Sequence, residues 1–163
     1  MSCEREVAEP WVKDYDTCEE DLPTNWPRRF DLSNWGFFSA RRGDRALGWA
    51  AIAFDTPGVH MLEGRRDLAV LWDIRVDPEA RGSGVGSALF RAAEAWARAR
   101  GCRQLKIETQ NVNVGACRFY RRQGCVLGGL HRFAYPAEMG EVQLLWWKTI
   151  SLEAASEQRP GVS

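Results

Sequence analysis

The residues of this chain best suited to chemistry are Arg81-Gly82-Ser83-Gly84-Val85-Gly86, which join the apolar run Leu68 to Val76 to a helical pattern. Three glycines in five positions let the backbone turn tightly with nothing projecting from Cβ. Successive N–H groups can then point at phosphate oxygens at the positive end of the helix, an anion cradle suited to a pyrophosphate. Two known phosphate loops compete for the segment. The Walker pattern needs Gly-x-x-x-x-Gly-Lys-Ser/Thr, and no Lys follows these glycines. The dinucleotide fingerprint fits better, since Gly82-x-Gly84-x-x-Ser87 is near Gly-x-Gly-x-x-Gly and Glu108 lies about twenty residues on, as a ribose-binding acid would. Against it, Asp77-Pro78-Glu79-Ala80-Arg81 separates the strand from the first glycine, whereas a dinucleotide loop leaves its strand almost at once. A plain strand-to-helix turn is the third reading.

Other reactive groups offer less. The five cysteines, Cys3, Cys18, Cys102, Cys117 and Cys125, contain no Cys-x-x-Cys pair, and only His60 and His131 are available to complete a metal site, so no metal is expected. Reduced thiols are expected, with Cys117 and Cys125 acting as small hydrophobes among apolar neighbours.

These groups need elements to position them. Residues 1–34 are polar and irregular, with an acidic stretch from Asp14 to Asp21, and read as a segment packing on the domain. Trp35 to Ala40 and Ala46 to Phe54 read as a hairpin turning at Gly43-Asp44, and Leu68 to Val76 as a central strand. Val85, Leu89, Ala92 or Ala93 and Trp96 recur at helical spacing, with Gly101 as the stop. Gln104 to Thr109 is the next strand, Asn113 caps a helix from Val114 to Gln123, and Val126 to Tyr135 and Val142 to Lys148 complete the sheet. A right-handed crossover makes strands 68–76 and 104–109 parallel neighbours, with their C-terminal ends opening where the glycine loop begins. The expected fold is therefore α/β, a mixed sheet flanked by helices in a single domain over 35–150, followed by a flexible tail over 151–163.

At 163 residues the chain suits one domain, and its 22 Lys plus Arg balance 22 Asp plus Glu, so no global field favours nucleic acid or a membrane surface. No apolar run approaches the roughly twenty residues of a spanning helix, and Met1-Ser-Cys-Glu-Arg-Glu lacks a basic and then apolar leader, so a cytoplasmic location is expected.

With the elements in order, the motif Arg81-x-x-Gly84-x-Gly86 after a strand, followed by Asn113-x-x-Ala116-x-x-Phe119-Tyr120, resembles the GCN5-related N-acetyltransferase (GNAT) superfamily. Within it, Leu105 to Gln110, Asn113 to Tyr120, Leu127-Gly-Gly-Leu130 and the Trp146-Trp147 ending are similar to streptothricin acetyltransferases. Pro10 to Tyr15 resembles the segment before the hairpin in those enzymes. The resemblance runs from about Trp35 to Lys148 and implies a mixed, mostly antiparallel sheet with a central splayed parallel pair.

It also implies acetyl-CoA as donor, with its pyrophosphate on the Arg81, Gly82, Ser83, Gly84, Val85 and Gly86 backbone. The pantetheine arm would lie in the splay beside Ile74 and Val76, a backbone N–H near Val76 polarising the thioester carbonyl. By the same matching Asn113, Ala116 and Phe119 belong to the cofactor side, and Tyr120 stands near sulfur and protonates the leaving thiolate. A thiol near about 8.5 and a phenol near about 10 make that a mild transfer. The acceptor amine is harder: near pKa ~10.4, only about one molecule in a few thousand is neutral at pH 7. A carboxylate should stand near it, and Glu108 and Asp73 are the candidates, with Glu108 ahead as base and Asp73 as an alternative base or an orienter of the ammonium.

The acceptor implied is a small cationic amine, streptothricin through its β-lysine amine, which would confer antibiotic resistance. The acidic stretch Asp14 to Asp21 suits such a polycation. Another small amine, a protein N-terminus, or a non-catalytic acyl-CoA-binding module are the alternatives. The short segment before Pro10 suggests that the first superfamily strand is missing or reduced, Cys125 replaces an aromatic residue, and the Trp-rich ending offers a homodimer surface.

Overall fold

The computed structural model of the chain describes residues 22–152. The acidic stretch Asp14 to Asp21, the question of a first superfamily strand, and the tail from 153 lie outside them. Six strands, β1 (Gly36–Arg42), β2 (Arg45–Phe54), β3 (Leu68–Val76), β4 (Gln104–Gln110), β5 (Val126–His131) and β6 (Gln143–Thr149), form one sheet in the order β1-β2-β3-β4-β6-β5. Every pairing is antiparallel except β3 with β4. Three α-helices, α1 (Trp26–Arg29), α2 (Val85–Ala99) and α3 (Val114–Arg122), join short 3-10 turns. The mixed α/β sheet with one parallel pair matches the expected fold class.

The apolar rows of the strands explain the layering. One face of the sheet, through Ala50, Ile52, Ala69, Leu71, Leu105 and Ile107, packs on Leu89, Phe90, Ala93 and Ala97 of α2 and Tyr120 of α3. The other face buries Ala51, Ala53 and Val70 against Trp26, Trp35, Val59 and Leu62 from the segments before β1 and after β2. There the Trp35 indole N–H donates to Thr56 Oγ1 at 3.1 Å and that hydroxyl donates to the Phe54 carbonyl at 2.7 Å, so the buried polar atoms are satisfied.

The β3–β4 ladder runs only from Leu68 opposite Gln104 to Leu71 opposite Ile107. Immediately past that rung β3 carries a bulge: Asp73 faces Ala51 and Leu71 faces Ile52, so Trp72 is the extra residue. A bulge bends its strand and increases its twist. β3 nevertheless stays on β2 as far as Val76, and β4 stays on β6 as far as Gln110. The sheet therefore divides into two wings beyond Leu71 and Ile107, leaving a V-shaped cleft.

Two elements depart from the expected bounds by more than one residue at an end. β1 begins at Gly36 and extends to Arg42, past the expected Ala40. β5 ends at His131, not Tyr135, because β6 begins at Gln143 opposite His131 and offers residues 132–135 no partner. Residues 132–142 are instead a loop with a 3-10 turn at Ala137–Met139. Among the described residues no helix is long and apolar enough to cross a membrane.

Candidate active site at the split of the sheet

The cleft is lined along β3 by backbone. The Asp77 N–H donates to the Leu47 carbonyl of the hairpin at 2.9 Å, so it points towards β2. N–H groups alternate sides along a strand, which turns those of Ile74 and Val76 the other way, to the side from which β4 has diverged. Their side chains pack on the helix-side core.

The glycine loop stands at the mouth of this cleft. Asp77 opens the turn, its Oδ1 accepting the Glu79 N–H at 2.9 Å, and Arg45 on β2 spans the lead-in, reaching Asp77 Oδ2 at 3.2 Å and Glu79 Oε2 at 2.5 Å. Gly82 and Gly84 have φ of 78° and 88°, the left-handed region that glycine enters freely. A Cβ built on either would meet nothing within 4 Å, so the loop's outer surface is open. Backbone bonding pauses between Ser83 N–H to Ala80 O at 3.4 Å and Ala88 N–H to Gly84 O at 3.0 Å. Among the described residues, the N–H groups of Gly82, Gly84, Val85, Gly86 and Ser87 thus have no backbone partner, at the positive end of a helix running from Val85 to Ala99. Arg81 adds an exposed cation beside them. Donors of this kind suit a polyanion, and their chemistry fits the pyrophosphate of acetyl-CoA.

Gly86 has a different reason to be glycine. A Cβ there would lie 3.2 Å from Phe119 of α3 and 3.4 Å from a Val76 methyl. With Gln123 Nε2 donating to Ser87 Oγ at 2.9 Å, this close approach ties α3 to the first turn of α2. Asn113 caps α3, its Oδ1 accepting the Ala116 N–H at 3.1 Å. Ala116 and Phe119 rest on the helix-side core, while Tyr120 is 6% exposed, its ring 5.3 Å from Phe119 and 6.3 Å from Phe90.

The two carboxylates stand on the opposite face. On β4, Ile107 and Thr109 look towards the helices, Thr109 Oγ1 accepting the Trp146 indole N–H at 3.0 Å, so the intervening Glu108 looks away. On β3 the bulge gives Asp73 the same sense, opposite to Ile74 and Val76. Asp73 accepts from Arg75 Nε at 3.0 Å, and the Arg75 guanidinium lies 5.6 Å from the centre of the Trp49 ring. Tyr120 and the carboxylates therefore lie on opposite faces of the sheet.

Glu108 is engaged by residues the sequence reading did not assign to the site. The Tyr135 hydroxyl donates to Glu108 Oε1, and Gln110 Nε2 donates to the same oxygen at 3.2 Å and to the Tyr135 hydroxyl oxygen at 3.2 Å. Burial, and then the bond to Glu108, push the Tyr135 phenol well above its ordinary range, so it remains a protonated donor. The signal for it was an aromatic before Pro136 in a strand connection, read instead as a strand end. Among the described residues no group of three His, Cys, Asp or Glu converges to hold a metal ion.

Comparison with known proteins bears on the family and the fold. The model of the acetyltransferase (GNAT) family matches residues 2–125. A streptothricin acetyltransferase of Escherichia coli is 37% identical over 84 residues, 50% of this chain and 48% of that protein. The chain thus spans about half the length of the curated relatives it matches. Among solved structures, a nourseothricin acetyltransferase superposes with a TM-score of 0.62 and 31% identity, over 74% of this chain and 68% of that one. A Bacillus anthracis protein solved in complex with acetyl coenzyme A gives 0.63 and 28%, over 72% of this chain and 64% of that one.

Proposed function

The chain belongs to the GNAT family of acetyltransferases, and on that premise we propose that it transfers an acetyl group from acetyl-CoA to a primary amine of a small cationic acceptor. Streptothricin, acetylated on its β-lysine amine, is the acceptor favoured by the relatives and by the Gln104-to-Trp147 resemblance. The observation that carries the reading is the junction of two features: the split beyond Leu71 and Ile107, and, at its mouth, the N–H groups of Gly82 and of Gly84 to Ser87, which have no backbone partner among the described residues.

Acetyl-CoA, when bound, supplies an activated acyl group and a thiol leaving group. The Gly82 to Ser87 amides and Arg81 hold the polyanionic end. The N–H groups of Ile74 and Val76 line the cleft as fixed donors, and a donor aimed at developing negative charge costs no reorganisation during reaction. Tyr120 returns a proton to the departing thiolate from the helix face.

Glu108 serves the amine from the other face. An alkyl ammonium near pKa ~10.4 loses its proton at pH 7 at a cost of roughly 4 to 5 kcal/mol. A carboxylate beside it attracts the cation, orients its N–H bonds and accepts the proton directly or through a water as the nitrogen reacts. Asp73, already paired with Arg75, is the alternative base or the orienter of the ammonium.

The test is free-thiol release from acetyl-CoA with a panel of streptothricin, aminoglycosides, polyamines and peptides. Release with streptothricin is expected. Release with peptides alone would move the acceptor to a protein N-terminus, and tight acetyl-CoA binding without release for any amine would make the chain a binding module.

A further inference from the structure

The β5–β6 loop carries a group that the reaction as outlined does not use. Tyr135 comes from residues 132–142, yet its hydroxyl reaches β4 and donates to Glu108 Oε1. Gln110 closes the triangle, bonding both partners at 3.2 Å from two residues along the same strand. The triangle lies on the sheet face opposite the helices, away from the glycine cradle and from Tyr120. We propose that Tyr135 is a positioning residue for the acceptor amine: its hydroxyl and Gln110 hold the Glu108 carboxylate at one edge of the cleft.

The physical case is one of degrees of freedom. A glutamate side chain loses considerable rotamer entropy when it is fixed, and a carboxylate that must meet an ammonium in one geometry reacts best when that cost is met before the acceptor arrives. Two donors on one oxygen achieve this, and a hydrogen bond to a charged acceptor is stronger than one between neutral groups. The phenol stays protonated because burial and the negative charges of Glu108 and Glu141 oppose its ionisation, so it donates throughout the working range. The nearest cation on the strand, Lys106, is committed to Glu63 at 2.5 Å and so does not replace it.

This inference rests on the acetyltransferase reading, and the experiment separates the two. Tyr135→Phe keeps the ring and removes only the donor. Steady-state kinetics with saturating acetyl-CoA should show kcat/KM for the amine lowered about tenfold, the size of one hydrogen bond to a charged group, with acetyl-CoA affinity by titration unchanged. In the Glu108→Gln background the same substitution should cost less than about twofold, because Tyr135 acts through the carboxylate. Equal losses in both backgrounds, or an unchanged kcat/KM in Tyr135→Phe, would overturn the role. No turnover by the unmodified protein with any amine would overturn the acetyltransferase reading, and this role with it.

Discussion

Leu71 and Ile107 form the last rung of the parallel β3–β4 pair, and the backbone of the proposed reaction lies just beyond it. The bulge at Trp72 follows at once, β3 bends with β2, and β4 continues with β6. A break of this kind exposes main-chain donors inside a sheet, where they are otherwise consumed by the ladder. The strands on either side of the cleft nevertheless remain paired, β3 with β2 and β4 with β6.

The glycine loop gives the first prediction. Gly84 caps α2 with φ of 88°, and a Cβ there meets nothing within 4 Å, so an alanine is penalised by backbone conformation and not by a clash. Gly84→Ala should lower stability by about 1 kcal/mol, read as a Tm decrease of a few degrees. Because relief of the strain rotates the cradle's N–H groups, acetyl-CoA affinity by calorimetry should fall about tenfold. Unchanged affinity with the expected Tm loss would detach the loop from the donor.

Tyr120→Phe isolates the proposed acid. The ring is retained against Phe90 and Phe119, so thermal stability should change little. Turnover should drop about a hundredfold with acetyl-CoA affinity intact, the lower range for loss of a general acid. Undiminished turnover would make Tyr120 a packing residue.

The cysteines supply a pH prediction. Burial pushes the Cys102 and Cys125 thiols up to about 11, whereas Cys117 is only half-buried. Since the thiolate is the reactive form, alkylation of the folded protein near pH 8 should modify Cys117 well before either of the others. Reactivity of Cys102 and Cys125 should rise only as pH approaches 11 or the fold opens. Peptide mapping by mass spectrometry would read this, and equal labelling of all three at pH 8 would contradict it.

The cap of α3 can be separated from any role in binding the donor. Asn113 Oδ1 accepts the Ala116 N–H at 3.1 Å. Asn113→Ala should cost about 1 kcal/mol of stability, whereas Asn113→Asp, which retains the acceptor, should be nearly neutral in thermal melts. A large loss in acetyl-CoA affinity for both variants, with Asn113→Asp fully stable, would assign the side chain to the donor site.

Much of this arrangement was legible because it is local. The five-residue lead-in from Asp77 to Arg81, the glycines after it and the Asn113 cap each declare themselves within a few positions. The parallel pairing followed from one crossover. What escaped was set by distant partners. Phe133 and Tyr135 continue the alternation of β5, yet the strand stops at His131 because β6 starts at Gln143. The Tyr135 to Glu108 bond spans 27 positions and has no periodic signature. The bulge at Trp72 was likewise invisible, since it is defined by register against β2 and not by its own residue type.

The most direct test of the central claim is the mass of streptothricin after incubation with acetyl-CoA and this protein. One added acetyl group per molecule is expected, located on the β-lysine amine by fragmentation, with a matching release of free CoA thiol. Glu108→Gln should lower the yield at pH 7, with recovery as pH rises towards the amine's own pKa of about 10.4. Unmodified streptothricin, and unmodified amines across the panel, in the presence of tightly bound acetyl-CoA would contradict that claim.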